Sequence, residues 1–409
     1  MHPKELHIAD YTYDLPDEKV AKYPLAVRDA SKLLIYSNGR IQEDNYRNIA
    51  AHIPHNSLVV YNQTKVVHAR LLFQKATGGQ IEVFCLEPGD EYADIQTAML
   101  QKDSVRWKCM IGGASKWKHG MVLQLECPPH FTLSAEIVDR QSGSFTVQLS
   151  WDKEGVSFAE VLHHAGKVPL PPYLHREAEA SDEERYQTIF AKEEGSVAAP
   201  TAGLHFTEHV VKSLDEKGID KAMISLHVGA GTFKPVQSDT MLEHEMHAEW
   251  IEVDMATIEK LITEHNVIAV GTTSMRTLES LYWIGNKLFR GQQVHFAGIA
   301  VQQWDPYETE ARASAFEALK SIQLYMQNNK LERIITRTRI LIAPGYRFRI
   351  VSGLVTNFHQ PQSTLLLLIA AFIGDDWRRV YEHALNNDFR FLSYGDGCLL
   401  WHNKPNVNS

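Results

Sequence analysis

Two glycine-rich segments that each contain a histidine are the parts of the sequence best suited to hold a ligand and act on it. Residues 201–207 read Thr-Ala-Gly-Leu-His-Phe-Thr and include His205, and residues 226–232 read Leu-His-Val-Gly-Ala-Gly-Thr and include His227. Because glycine has no Cβ, a ligand can approach the backbone of such turns closely. The second segment adds three candidate ligand contacts: Gly229, Gly231 and Thr232.

A second group of histidines lies in His244-Glu-Met-His247, with Glu249 just after it. The i, i+3 spacing predicts both imidazoles on one face of a helix, and an imidazole can transfer protons near neutral pH or bind a metal. The segment lacks the glutamate position of the H-E-x-x-H zinc motif and has no obvious third ligand, so we predict no metal site. For each histidine, including His359, a purely structural hydrogen-bonding role is an equally good interpretation.

A strand, a turn and a helix follow one another around residue 271. Residues 267–270 predict a strand, and residues 275–283 predict a helix. A helix N-terminus offers free N–H groups and the positive end of the helix dipole, which suit a carboxylate or a phosphate. A simple helix cap is the alternative interpretation. The candidate anion contacts are Gly271, Thr272, Thr273, Ser274 and Arg276.

Basic residues cluster locally although the chain is acidic, with 50 Asp and Glu against 41 Lys and Arg and a formal net charge of −9. The whole surface therefore cannot attract nucleic acid, and any such contact needs a local patch. One patch includes Trp107 and Trp117, a mixture suited to phosphates and stacked bases, although an ordinary charged strand face is equally compatible. Its basic residues are Lys102, Arg106, Lys108, Lys116, Lys118 and His119, and a second, arginine-rich patch includes Arg347.

The elements that position these residues belong to a folded chain with a large core. Its length of 409 residues suggests two or three domains. Its composition, 44% hydrophobic and 22% charged, is close to the average of soluble globular proteins. The longest wholly apolar run, residues 365–373, is shorter than the roughly 20 residues of a bilayer helix and predicts a buried core helix. The four cysteines are far apart and the first residues are polar, so we predict reduced thiols in a soluble cytoplasmic protein without membrane contact.

Residues 66–151 differ in pattern from the rest of the chain. Residues 69–75 and 80–87 predict a hairpin around Thr77-Gly78-Gly79, and further short strands follow without a convincing helix. This pattern predicts a small all-β barrel or sandwich. Strand and helix patterns alternate in residues 1–65 and 152–409, so we predict a discontinuous α/β domain with an inserted all-β domain.

Several stretches of the chain, taken in order, carry a family likeness. The longest are Gly195-Ser-Val-Ala-Ala-Pro-Thr-Ala-Gly-Leu-His-Phe-Thr207, His244-Glu-Met-His-Ala-Glu-Trp250, Gly271-Thr-Thr-Ser-Met-Arg-Thr-Leu-Glu279, Thr356-Asn-Phe-His359 and Ser393-Tyr-Gly-Asp396. Shorter ones are residues 10–16, 23–25, 28–31, 169–173, 185–188, 226–229 and 231–236. Together they span nearly the whole chain and resemble the S-adenosylmethionine:tRNA ribosyltransferase-isomerase family of queuosine biosynthesis.

The resemblance implies a layered α-β-α main domain with an inserted β-barrel. It also implies that the ribosyl part of S-adenosylmethionine moves to an aminomethyl-deazaguanine base in the wobble position of a tRNA anticodon. Epoxyqueuosine forms, and adenine and methionine leave. S-adenosylmethionine is then a consumed co-substrate, no cofactor is permanently bound, tRNA is the partner, and no obligate protein partner is evident.

Residue roles in such a reaction are our own hypotheses. A sulfonium acidifies the neighbouring CH₂, so a base can remove a proton there, and the departing adenine needs a proton or a hydrogen-bond donor. We assign proton transfer to His205, His247 and Glu249, and recognition of the sulfonium, ribose or base to Asp396. The remaining expected substrate contacts are His227, Asn357 and His359 together with the glycine-rich turns and Arg276.

The chain also departs from the usual pattern of this family, mostly in its last third. The unusual residues are Gln63, Lys65, Arg339, Ser352, Gln360, Gln362 and Gly397. Loss of a lysine at Gln362 removes a cation beside residues 356–359, and Arg339 is a candidate replacement. The alternatives are therefore a paralogue with a different acceptor, a protein that binds tRNA or a nucleoside without turnover, and, least favoured, a metallohydrolase.

Overall fold

The structure is a computed structural model that describes residues 2–75, 77–118, 120–128, 130–141, 144–229, 236, 238–263 and 266–402. Its strands are β1 Lys32–Ser37, β2 Arg40–Asn45, β3 Ser57–Asn62, β4 Thr64–Val66, β5 Arg70–Gln74, β6 Gln80–Pro88, β7 Ser104–Gly112, β8 Leu123–Cys127, β9 Phe131–Gln141, β10 Ser144–Trp151, β11 Gly166–Lys167, β12 Glu193–Ser196, β13 Asp220–His227, β14 Glu249–Asp254, β15 Asn266–Val270, β16 Ile299–Val301, β17 Arg333–Thr338, β18 Val351–Asn357 and β19 Gly397–Trp401. Its α-helices are α1 Ile49–His52, α2 Ile95–Met99, α3 Phe158–Ala165, α4 Asp182–Arg185, α5 Glu208–Glu216, α6 Met255–Thr263, α7 Thr272–Phe289, α8 Asp305–Glu308, α9 Ala315–Asn328, α10 Thr364–Ile373 and α11 Asp376–Asn386.

A ten-stranded sheet forms the larger part of the molecule, in the order β16-β17-β14-β13-β3-β15-β18-β19-β1-β2. The neighbours β13, β3, β15 and β18 are parallel, so their carboxyl ends lie along one edge. Strand β14 is antiparallel to both β13 and β17, which brings its first residue, Glu249, to the same edge opposite Thr338 at the end of β17. We call this the carboxyl edge; in open α/β sheets such an edge is where ligands bind.

The central strand β3 shows why this sheet forms. All six of its residues are buried, as expected for a strand covered on both faces. Its alternate residues Leu58 and Val60 belong to the buried cluster that includes side chains of α7 and α9. Val59 and Tyr61 belong to a second cluster with side chains of α1 and α5. The protein is therefore a mixed α/β protein with a large sheet.

A seven-stranded antiparallel sheet forms the smaller part, in the order β11-β5-β6-β7-β10-β9-β8. Strands β5 and β8 approach each other, so the sheet curls. Within the described residues the order ends at β8 and β11, so the sheet is a curled half-barrel and lacks the hydrogen-bonded closure of a barrel. Helix α3 and strand β11 pack with this sheet, so its packing extends past the expected boundary at residue 151.

Several sequence predictions are confirmed by these bounds. The β5–β6 hairpin and the short strands that follow it lie where the patterns placed them. Helix α10 covers the apolar run and is buried. The predicted helix at residues 275–283 lies inside the longer α7. The four cysteines are buried and free.

One helix prediction is wrong. Residues 244–248, which contain the two histidines at i, i+3 spacing, have no helical structure. The two imidazoles therefore do not share a helical face.

No helix in the described ranges has both the length and the apolarity needed to cross a membrane.

Candidate functional site

A cavity of about 550 Å³ opens at the carboxyl edge of the large sheet. Residues from the four segments that carried the candidate chemistry all line it: Ala199 to Ala202, Val228 and Gly229, His244 to His247 with Glu249, and Gly271 to Thr273 with Arg276. The segment Ile340 to Ile342 after β17 and residues 356–361 at the end of β18 complete much of the wall. The volume lies in the range of small-molecule sites.

Strand topology explains this convergence. Gly229 follows β13, Gly271 follows β15 and Asn357 ends β18, and these three strands run in the same direction. Residues that are far apart in the sequence therefore meet at one edge because each lies at the carboxyl end of a parallel strand.

Arg276 and Glu249 form a buried ion pair in the cavity wall. Their side chains are 10% and 6% exposed. The Nη1 of Arg276 donates to Glu249, and its Nε donates to the Ile340 carbonyl over 3.3 Å. Its Nη2 is buried without a hydrogen-bond partner among the described residues. One guanidinium N–H₂ group thus remains for an anionic ligand.

The N-terminus of α7 lies beside this pair. Gly271 precedes the helix with a φ of 89°, a conformation that favours glycine, and its N–H donates to the Val355 carbonyl over 2.8 Å. Thr272 and Thr273 line the cavity, and the Thr273 hydroxyl is buried without a partner in the described part of the chain. Ser274 does not line it, because its hydroxyl donates to the Val270 carbonyl one helical turn back.

The segment of residues 238–248, which we call the cavity loop, is held by contacts distant in sequence. The N–H groups of Met241 and Leu242 donate to the carbonyls of Leu6 and Lys4, each over 3.0 Å. The Gln303 side chain accepts from the Met246 N–H over 2.9 Å and donates to the His244 carbonyl over 2.7 Å. These contacts hold the loop in a non-helical course, which explains the missing helix.

The cavity loop presents both histidines and two carboxylates to the cavity. His247, Glu243 and Glu245 are exposed, and His244 is half-buried. Burial lowers the pKa of His244, and the neighbouring His247 lowers it further. Glu245 accepts a hydrogen bond from Arg339 over 3.1 Å, so the unusual Arg339 is paired with the loop.

Asn357 and His359 line the cavity at the end of β18. The Thr201 hydroxyl donates to the Asn357 Oδ1 over 2.8 Å, and the Asn357 Nδ2 lies 3.3 Å from the His205 Nε2. His205 itself is not among the lining residues but stands behind Asn357. Burial lowers the pKa of His205 and that of His359 to about 3. A direct proton transfer by His205 to a ligand in the cavity therefore has no geometric support.

Other predicted site residues also lie away from the cavity. His227 is buried at the end of β13, where burial lowers its pKa to about 4. Asp396 is buried and accepts hydrogen bonds from the backbone N–H groups of Lys32 over 2.9 Å and of Arg390 over 2.8 Å. Its two oxygens tie the start of β1 to the segment before β19, and burial raises its pKa. Gly231 and Thr232 lie outside the described residues.

The predicted basic surface is divided between two parts of the molecule. Arg106 and Lys108 are on β7, where Lys108 forms ion pairs with Glu87 at 3.3 Å and Asp90 at 2.7 Å. Lys116 and Lys118 are exposed after β7. Arg347 is exposed on the segment that precedes β18 in the larger part.

The tryptophans of this patch do not take part in such a surface. Trp107 and Trp117 are 2% and 1% exposed in the core of the curled sheet. For Trp107, alternation along β7 is the reason, because Trp107 faces inward while Arg106 faces solvent. Their expected role in stacking bases is wrong.

Some residues of the wall were not predicted from the sequence to be substrate contacts. These are Tyr173, Thr201, Thr356, Gln360 and Ser393. The Tyr173 hydroxyl and Ser393 hydroxyl share a hydrogen bond, and Thr356 Oγ1 lies 2.9 Å from the His359 Nε2. Except for Gln360, they fall inside stretches that carry the family likeness, which is the signal that could have found them.

The described residues contain no group of three or more His, Cys, Asp or Glu arranged to hold a metal ion.

Comparison with known proteins gives two findings. A family model described as "Queuosine biosynthesis protein" matches residues 8–400. Among solved structures, the chain is similar to the S-adenosylmethionine tRNA ribosyltransferase from Thermotoga maritima, with 26% sequence identity and a TM-score of 0.46. The match covers 96% of this chain and 99% of that one.

Proposed function

The chain belongs to the queuosine biosynthesis protein family, and from this membership and the cavity we propose that it is a tRNA ribosyltransferase-isomerase. It transfers and isomerises the ribosyl moiety of S-adenosylmethionine onto an aminomethyl-deazaguanine base in the wobble position of a tRNA anticodon. Epoxyqueuosine forms in the tRNA, and adenine and methionine are released.

The observation that carries this proposal is the meeting of the four family-like segments around one cavity. Each segment is separate in the sequence, and each contributes a different chemical group to the wall. A cavity of about 550 Å³ is of suitable size for a nucleoside that carries an amino acid chain.

The methionine carboxylate would bind at Arg276. Its Nη2 is buried without a partner among the described residues, and the α7 N-terminus and the Thr273 hydroxyl are close in the chain. A carboxylate there would gain charge-assisted hydrogen bonds. Glu249 occupies the Nη1 of the same guanidinium and so holds it in place.

The sulfonium would lie near the carboxylates of the wall. Glu243, Glu245 and Glu249 line the cavity, and a carboxylate favours a nearby cation. The base that removes the proton beside the sulfonium would be His247 or Glu249, both of which line the cavity. His205, Asp396 and His227 would act only through other residues, because none of them is among the lining residues.

The remaining contacts of S-adenosylmethionine would come from Gly229, Thr272 and His359 in the wall.

The tRNA would bind along a local basic surface that includes Arg106, Lys108, Lys116, Lys118 and Arg347. The proposal includes a layered α-β-α main domain of residues 1–65 and 152–409 and an inserted all-β domain of residues 66–151, whose sheet is the curled half-barrel described above. The separate buried clusters of the large and curled sheets support two domains, and helix α3 extends the packing of the curled sheet past residue 151.

The test is an assay with S-adenosylmethionine and tRNA that carries the precursor base. We expect free adenine, free methionine and an epoxyqueuosine nucleoside detected by mass spectrometry. Adenine release without modification of this tRNA would favour a different acceptor. Binding of both substrates without release of adenine would favour a protein that binds but does not catalyse.

Arg276→Lys sharpens the assay. Lysine keeps the charge but loses the fork that serves Glu249 and a carboxylate together, so kcat/KM for S-adenosylmethionine should fall about 10- to 100-fold. The matched control is Arg312→Lys, since Arg312 forms an exposed ion pair with Glu310 and does not line the cavity. Equal kinetics for the two variants would remove Arg276 from the carboxylate site.

A further inference from the structure

We infer that Asn357 reads the adenine base of S-adenosylmethionine, with its amide held in one orientation by His205 and Thr201. This inference rests on the proposed function and adds to it the residue that distinguishes adenine from other purines. Asn357 would touch the base directly. His205 would be a positioning residue, because it acts through Asn357.

The hydrogen bonds of Asn357 define its orientation. The Thr201 hydroxyl donates to Oδ1 over 2.8 Å, and Nδ2 donates to the His205 Nε2 over 3.3 Å. An amide oxygen can accept two hydrogen bonds and an amide nitrogen can donate two. Asn357 is 3% exposed and lines the cavity, so one acceptor position and one N–H remain for a ligand there.

His205 is itself held firmly. Its ring stacks on Tyr46 with a centroid separation of 4.2 Å, and its Nδ1 lies 3.1 Å from the Ser31 hydroxyl. A Cβ at Gly397 would lie 2.3 Å from the Tyr46 hydroxyl oxygen, so the glycine at this unusual position gives Tyr46 its room.

The protonation state of His205 supports this arrangement. Burial lowers its pKa to about 3, so the ring is neutral near pH 7 and Nε2 keeps a lone pair for the Asn357 N–H₂ group. A protonated ring would donate from Nε2 and would favour the opposite orientation of the amide. Thr201 reinforces the same orientation from the oxygen side, because its hydroxyl donates to Oδ1.

Adenine is the ligand group that matches an asparagine side-chain amide fixed in one orientation. An asparagine amide pairs with adenine by accepting from the 6-amino group and donating to N7. A 6-oxopurine presents two acceptors at this edge and cannot pair in the same way. The deazaguanine acceptor has carbon in place of N7, so it too lacks the ring acceptor that the amide N–H requires.

The test measures binding without turnover. Calorimetry in the absence of tRNA compares S-adenosylmethionine with its analogue in which oxygen replaces the 6-amino group. We expect the wild type to prefer the adenine compound by about 10- to 100-fold. Asn357→Asp, which keeps the shape but cannot donate, should reduce this preference at least about tenfold. Asn329→Asp, at an exposed helix end, is the matched control.

His205 variants separate positioning from a purely structural role. His205→Phe keeps a ring against Tyr46 but has no acceptor, so the preference should fall. His205→Gln can accept from Asn357 through its side-chain oxygen, so the preference should return. Thr201→Val removes the other hydrogen bond and gives a second, independent variant. Thermal unfolding confirms that each variant is folded.

The outcomes distinguish this inference from the proposed function. If the wild type binds neither compound, the proposed function falls, and the inference falls with it. If it binds both equally, or if Asn357→Asp keeps the full preference, only the inference is overturned. If Asn357→Asp changes selectivity among acceptor bases instead, the amide reads the acceptor, which also overturns it. Equal preference in His205→Phe and the wild type would overturn the role of His205.

Discussion

The cavity wall and the outer face of the curled sheet both carry ion pairs, but in different surroundings. At the cavity, Arg276 and Glu249 have side chains that are 10% and 6% exposed. On the curled sheet, Arg70 and Glu82 form a two-point pair whose side chains are 33% and 32% exposed. A buried charge that loses its partner cannot be hydrated, whereas an exposed one can. The stability of the cavity wall therefore depends on the Arg276–Glu249 pair more than the stability of the curled sheet depends on the Arg70–Glu82 pair.

The largest difference should come from removing one carboxylate in each place. Glu249→Gln leaves the Arg276 guanidinium buried with an uncompensated charge, so the free energy of unfolding should fall by about 3–5 kcal/mol. Glu82→Gln, the matched control in the curled sheet, should cost at most about 1 kcal/mol. Urea unfolding monitored by circular dichroism measures both. Similar losses in the two variants would mean that burial does not distinguish the two pairs.

A smaller effect concerns pH and the buried histidines around the cavity. The folded pKa of His205 is about 3, below its usual value, so the unfolded chain binds a proton more readily between pH 6.5 and pH 3. Its contribution to stability is therefore lost as the pH falls through this window. Between pH 6.5 and pH 5, the wild type should lose about 2 kcal/mol more than His205→Gln, which does not titrate. Parallel unfolding curves for the two proteins would show that His205 is not held neutral.

The smallest effect concerns the exposed lysines of the curled sheet. If Lys116 and Lys118 contact tRNA phosphates, the double variant to alanine should lower the slope of log affinity against log salt by about 1 for each lost contact. Filter binding at several salt concentrations measures this slope. Lys212→Ala on α5 is the control for removal of an exposed lysine, and its slope should match that of the wild type. An unchanged slope in the double variant would place the tRNA elsewhere.

Much of the fold could be predicted from local pattern. The β5–β6 hairpin and the strand-turn-helix around Gly271 depend on the preferences of neighbouring residues, and the structure contains both of them. Local pattern did not predict the convergence of the four candidate segments at one edge of the sheet. The alternation of strand and helix patterns along the sequence does not show which strands are neighbours in the sheet. The order of the strands in the sheet decides which turns meet at its edge.

The errors have a common physical cause. Spacing suggested a helix at His244 and His247, but contacts with Leu6, Lys4 and Gln303 hold a non-helical segment there. Composition grouped Trp107 with Arg106, but alternate residues of a strand face opposite sides of the sheet. In the first case, contacts with residues distant in the sequence decided the local structure. In the second case, the face of the sheet decided whether the side chain is exposed. Composition and spacing show neither.

The placement of His205 and Asp396 extends this lesson. Both lie in stretches with strong family likeness, and both are buried behind the wall, where they hold neighbouring groups. A motif marks residues that matter to a site, yet it does not separate those that touch the ligand from those that support the wall. That distinction needs the direction of each side chain.

The hold of residues 4–8 on the cavity loop has a practical consequence. The carbonyls of Lys4 and Leu6 fix Leu242 and Met241, and the Ile8 N–H donates to the Asp239 carbonyl over 3.4 Å. Engineering that replaces only cavity-lining residues to change substrate preference would leave this anchor untouched. The side chains of Leu6 and Ile8 also belong to the buried cluster that contains Met241. Libraries that vary these two side chains together with the loop would sample loop shapes that substitutions in the wall alone cannot reach.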